Sequence, residues 1–68
     1  MRGVVTEFDE QRGLGTVTGD DDGTTYPFHC TRIADGTRTI AVGTAVTFEV
    51  VPGLAGRWEA AQLAGVGP

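Results

Sequence analysis

The sequence predicts an all-β domain, five short strands wrapped into a Greek-key barrel. Three observations lead there. Threonine and valine are abundant, and eleven glycines break the chain at short intervals. Apolar and polar residues alternate with period two in several runs, as half-buried strands do. No window sustains the apolar period of an amphipathic helix. A chain of 68 residues holds one domain, read here as 1–65 with 66–68 as a C-terminal tail. A chain of this size buries only about 60% of its unfolded surface, so the core has to be compact.

The strands follow in order. "GVVTEF" (3–8) is the first and "GTVTG" (15–19) the second, joined by the polar turn that begins "DEQRG". "DDDG" (20–23) turns the chain into "TTYPFHC" (24–30), where Tyr26 and Phe28 share one face and Pro27 and His29 the other. Pro27 brings no amide hydrogen to a ladder, so this strand belongs at an edge or at a bulge. A looser stretch, 31–43, is broken at Gly36 and Gly43. "TAVTFEVV" (44–51) points Val46, Phe48 and Val50 inward and Thr47 and Glu49 outward. After the turn "PGLAG" (52–56), "RWEAAQL" (57–63) places Ala61 and Leu63 inward, and Trp58, Ala60 and Gln62 outward. The expected core is Val5, Val17, Tyr26, Phe28, Ile33, Ile40, Val46, Phe48, Val50 and Leu63. Five strands of this length fit the small Greek-key barrel of the OB-fold.

Charge and cysteine usage narrow the function classes. The net charge is −4, with nine acids against five arginines and no lysine. A negative total argues against a protein held to nucleic acid mainly by counterion release. It leaves room for a few arginines gathered on one face, each able to fork onto phosphate or stack on a base. One cysteine, Cys30, allows no internal disulfide, and a free thiol fits a reducing compartment. The first residues, "MRGVVTEFDE", carry no apolar leader core, and no apolar run approaches a membrane span. A cytoplasmic protein without membrane contact is expected.

The motifs in their order resemble the bacterial cold-shock proteins. The family pattern "G-x-V-K-W-F" meets "GVVTEF"; "K-G-F-G-F-I", the first ribonucleoprotein motif, meets "RGLGTV" (12–17). The second motif, "V-F-V-H-F", meets "YPFHC" (26–30), and "S-A-I" meets "TRI". "L-x-x-G-x-x-V-x-F-E" meets "IAVGTAVTFE" (40–49), and "A-A-N-V" meets "AAQL" (60–63). The likeness spans nearly the whole chain, with single-residue slips near Asp22, Thr37 and Trp58. It implies a five-stranded OB-fold barrel of cold-shock type, whose second and third strands lay single-stranded RNA or DNA on outward aromatics. Each base–aromatic stack is worth about 1–3 kcal/mol and tolerates any base.

Carried over residue by residue, the resemblance puts Glu7 where the family has its exposed tryptophan. Leu14 and Thr16 replace the two phenylalanines of "G-F-G-F", Pro27 the one before histidine's neighbour, and Cys30 the one after histidine. Phe8, Arg12 and His29 keep matching chemistry. The scaffold positions agree while the stacking positions have lost their rings. At about 1 kcal/mol for each ring, roughly 5 kcal/mol is missing against a full platform, more than a thousandfold in affinity.

Nucleic-acid-binding residues are expected at Phe8, Arg12, Leu14, His29 and Arg32, with Trp58 as an auxiliary. Phe8 and His29 would stack, Leu14 would make apolar contact, and Arg12 and Arg32 would meet phosphate. Arg2, Arg12 and Arg32 form a basic track if they converge near His29. Gly13 and Gly15 either admit a ligand or serve barrel closure. Trp58, beside Arg57, either anchors a partner, stacks a base, or caps the end of the barrel. His29 and Cys30 are strand neighbours facing opposite sides, so neither a metal pair nor a Cys–His nucleophile is expected there, and Cys30 reads as an apolar filler. "DDDG" lacks the alternating spacing and closing glutamate of a calcium loop. No cofactor, metal site or enzymatic activity is expected. The expected partner is single-stranded RNA or DNA, bound weakly and with little sequence preference. The alternative is a protein partner on the same barrel, anchored by Trp58 and favoured by Glu7 and the net acidity. A monomer is expected, with edge-strand pairing as the route to a dimer.

Overall fold

A computed structural model describes residues 1–53 and 56–66. Leu54 and Ala55, in the expected turn 52–56, and Gly67 and Pro68, in the expected tail, lie outside the described residues. Five antiparallel strands form one sheet: β1 Arg2–Asp9, β2 Leu14–Gly19, β3 Thr25–His29, β4 Ala45–Pro52 and β5 Trp58–Gly65. A 3-10 turn, Cys30–Arg32, follows β3, so the third strand ends one residue earlier than its apolar pattern predicts.

The sheet order is β3-β2-β1-β4-β5. The edge strands β3 and β5 pack against each other, which curls the sheet around its core, but no hydrogen-bonded ladder joins them. The closed barrel expected from the sequence is thus closed by packing. Just past β3 an isolated parallel bridge pairs Ile33 with Leu63, and the Ala34 N–H donates to the Leu63 carbonyl at 2.8 Å. Pro27 sits on edge strand β3, where its missing N–H costs no inner ladder bond.

Two bulges bend the strands. In β1, Val5 pairs with Val17 and Glu7 with Thr16, so Thr6 is an extra residue. Its hydroxyl bonds the Thr18 hydroxyl (3.2 Å) and donates to the Thr16 carbonyl (3.3 Å). In β5, Thr47 pairs with Ala64 and Glu49 with Ala61, so two steps of β4 answer three of β5. Gln62, at φ 54, absorbs the extra residue. This bulge reverses the inward parity partway along β5, and Ala60, expected outside, is fully buried in the core beside Leu63.

The core otherwise follows the period-two pattern. Val5, Val17, Phe28, Ile33, Val46, Phe48, Ala60 and Leu63 are buried in one cluster, with Tyr26, Ile40 and Val50 packed half-buried against it. Phe8 and Cys30 join that outer layer. The turns are built by aspartates. Asp9 Oδ1 accepts from the Gln11 and Arg12 N–H groups at 3.0 and 3.2 Å, Asp22 Oδ1 from Thr24 N–H at 3.0 Å, and Asp35 Oδ1 from Thr37 N–H at 3.0 Å.

Those last two bonds favour the ionised form and hold the Asp22 and Asp35 carboxyls below their ordinary value of 3.8. A depressed folded value means the two turns contribute their stability above the unfolded value and lose it as pH falls through the folded one. NMR titration of both carboxyl carbons should give midpoints below 3.8.

Candidate nucleic-acid interface

Strand register assembles the candidate surface. Across β1, β2 and β3 two rungs line up on the outer face: Asp9–Leu14–His29 and Glu7–Thr16–Pro27. Directly opposed residues on one sheet face bring their Cβ atoms within about 5 Å. Each rung is a continuous strip, acidic on β1, aliphatic or hydroxylic on β2, and proline or histidine on β3. Leu14 is 39% exposed, and Pro27 and His29 are exposed.

The expected residues are placed unequally. Leu14 and His29 stand directly opposite each other. Arg32 shares an open hollow of about 630 Å³ with His29, Thr31, Pro52, Gly53 and Glu59. Arg12 lies in the β1–β2 turn, at the end of the sheet where the Cys30 N–H donates to the Gly13 carbonyl at 2.7 Å. Arg2 does not join this group. It pairs with Thr47 at the start of β1, and its carbonyl accepts from Asp20 N–H, a full strand length from Arg12. The expected convergence of three arginines near His29 therefore loses Arg2, and Arg32 is the one of the three that shares a hollow with His29.

Phe8 is half-buried. Its ring lies 6.0 Å from that of Phe28 at an interplanar angle of 10°, so one face is already occupied. Gly15 sits between them, in register with both. A Cβ there would approach Phe28 Cζ to 2.5 Å and the Glu7 carbonyl to 2.7 Å. At Gly13, φ is 66 and a Cβ would come 2.7 Å from Cys30 Sγ. Both glycines make room for this protein's own core and turn.

Trp58, 59% exposed, opens onto a hollow of about 470 Å³ with Thr16, Tyr26, Pro27 and Arg57. Arg57 was outside the expected set, and its place beside Pro27 and His29 follows from β5 meeting β3. Its adjacency to Trp58 was the available signal. Among the described residues no group of three or more His, Cys, Asp or Glu side chains could hold a metal ion, and no helix is long and apolar enough to cross a membrane.

Comparison with known proteins points the same way as this geometry. A family model described as the 'Cold-shock' DNA-binding domain matches residues 1–66. Glycine-rich protein 2 of Nicotiana sylvestris is 38% identical over 65 residues, covering 94% of this chain. The chain spans about 30% of that relative's length.

Proposed function

Because this chain belongs to the cold-shock domain family, a nucleic-acid-binding and not an enzyme family, we propose that it binds single-stranded RNA or DNA weakly and without marked sequence preference. The reading extends to a cytoplasmic setting and to a monomeric protein that catalyses nothing. The observation that carries it is the pair of rungs, Asp9–Leu14–His29 and Glu7–Thr16–Pro27, which keeps the platform's backbone while replacing its rings. His29 and the free face of Phe8 stack bases, Leu14 gives apolar contact, and Arg12 and Arg32 meet phosphates, with Trp58 in support. Binding is weak because a platform short of five stacks lacks roughly 5 kcal/mol, and because Glu7 and Asp9 repel phosphate along β1.

Titration of a labelled single-stranded oligonucleotide tests this. Binding should be measurable at low salt and weaken as salt rises. Arg12→Ala and Arg32→Ala should each lower the log–log salt slope by about 0.7, the value of one phosphate contact on a single strand. Absence of binding at low salt and high protein concentration would rule the reading out.

A second reading rests on the exposure of Trp58 and the carboxylates on β1. Tryptophan with arginine is a common interface anchor, and an acidic face suits a basic protein partner. A partner that survives nuclease and is lost on Trp58→Ala favours it.

A further inference from the structure

The nucleic-acid reading leaves open which side of the platform the strand follows, and the hollows on the outer surface bear on that. Three of them share walls. The first, around Trp58, shares Pro27 and Arg57 with a second one lined by Leu14, Gly15, Phe28, His29 and Glu59. The second shares His29 and Glu59 with the hollow that holds Arg32. Joined, they form one open groove along the seam where β3 meets β5, running from Trp58 past Arg57 and His29 to Arg32.

The opposite flank has the wrong charge. The hollow on the β1 side is lined by Glu7, Phe8, Asp9, Leu14, Gly15 and Thr16, with two carboxylates and no cation. Along the seam stand two arginines, a histidine and the single tryptophan, against one carboxylate, Glu59. That carboxylate is folded down over Gly53, where a Cβ would collide with it. Phosphates repelled from β1 are drawn toward Arg57 and Arg32.

We propose that single-stranded nucleic acid runs along the β3–β5 seam, with Trp58 as its principal stacking ring and Arg57 and Arg32 as phosphate contacts. This deepens the nucleic-acid reading and rests on it. Trp58 offers an uncovered indole beside Pro27, a flat apolar wall on which a base stacked over the indole can rest. Arg57 is next in the chain, placed to meet the phosphate of the same nucleotide. The ring absent from the β2 and β3 positions is thereby supplied from β5.

The test uses the full chain and a labelled oligothymidylate of about a dozen nucleotides, within the range covered by one OB-fold. Anisotropy reports affinity, and emission of the single tryptophan reports stacking at Trp58. Oligothymidylate should quench that emission, whereas an oligomer of abasic sugar phosphates should not. Trp58→Ala should weaken binding about tenfold, within the span of one base–ring stack, and Trp58→Phe should restore most of it. Arg57→Ala should lower the salt slope by about 0.7, while Arg2→Ala, at the far end of β1, should leave it unchanged. Glu59→Gln should tighten binding. If Trp58→Ala binds like the wild type and emission is unquenched, the seam is not the path and the proposal falls, although binding as such stands. Loss of a nuclease-resistant protein partner with unchanged oligonucleotide affinity makes the hollow a protein interface and also overturns it. If the wild-type chain binds no oligonucleotide, the nucleic-acid reading falls first and takes the proposal with it.

Discussion

Replacing Leu14 and Thr16 together by phenylalanine should raise the affinity for single-stranded oligonucleotide by about thirtyfold or more. The two positions are successive outward residues of β2, in register with His29 and Pro27 on one side and with Asp9 and Glu7 on the other. Two stacks at the low end of about 1 kcal/mol each set the minimum. Little opposes the change structurally. Leu14 is 39% exposed and Thr16 borders the open hollow before Trp58, so the rings enter solvent-facing space. Aromatic residues also suit a half-exposed strand. Glu7, opposite Thr16, tempers the gain by holding a negative charge where phosphate would pass. Adding Glu7→Gln to the double variant should therefore give a further increase, larger at low salt than at high salt because an exposed charge is screened. Oligonucleotide anisotropy across a salt series separates the two contributions. A double variant that melts like the wild type but binds no tighter would mean that the outer face of β2 touches no bases.

Strand identity and most of the core were legible because both depend on local alternation. Val46, Phe48, Val17 and Phe28 point inward where period two places them. The failures fall where one residue is inserted. At Gln62 the bulge uses a left-handed backbone without a glycine, so nothing in "EAAQLAG" marks it, and Ala60 lands inside. At Thr6 the second bulge turns Phe8 toward Phe28, leaving its ring half-buried. Pairings between elements distant in the chain were less accessible still. Leu14 facing His29 depends on the β2–β3 register, which the alternation within each strand does not fix. Trp58 beside Pro27 depends on the curl that brings the two sheet edges together, which no local pattern encodes. Likewise Arg2 and Arg12 share one neighbourhood of the chain, yet β1 holds them at opposite ends.

Gly15→Ala should cost about 2–3 kcal/mol, the upper part of the range of about 1–3 kcal/mol for an overpacked core, and lower the melting temperature by roughly 10–20 °C in a domain of this size. The added methyl would lie 2.5 Å from Phe28 Cζ, 2.8 Å from Cε1 and 2.7 Å from the Glu7 carbonyl oxygen. The ring can retreat only against the Phe8 ring stacked on it at 6.0 Å and the buried cluster behind. The carbonyl belongs to the β1–β2 pairing, so moving it disturbs the rung that carries Glu7, Thr16 and Pro27. Backbone conformation is not the cause, since Gly15 is outside the positive-φ region. Gly23→Ala makes the complementary control: φ is 69 and nothing lies within 4 Å of its Cβ, so its cost is confined to the left-handed conformation, about 1–2 kcal/mol. Phe28→Leu releases part of the crowding at the expense of buried area. If steric conflict with that ring is the mechanism, Gly15→Ala combined with Phe28→Leu should destabilise by less than the sum of the two. Thermal melts of the four proteins in the cycle decide it. Strict additivity, or a Gly15→Ala melt within a few degrees of the wild type, would remove the packing role assigned to this glycine. The first motif's glycine would then have to answer to a ligand and not to the core.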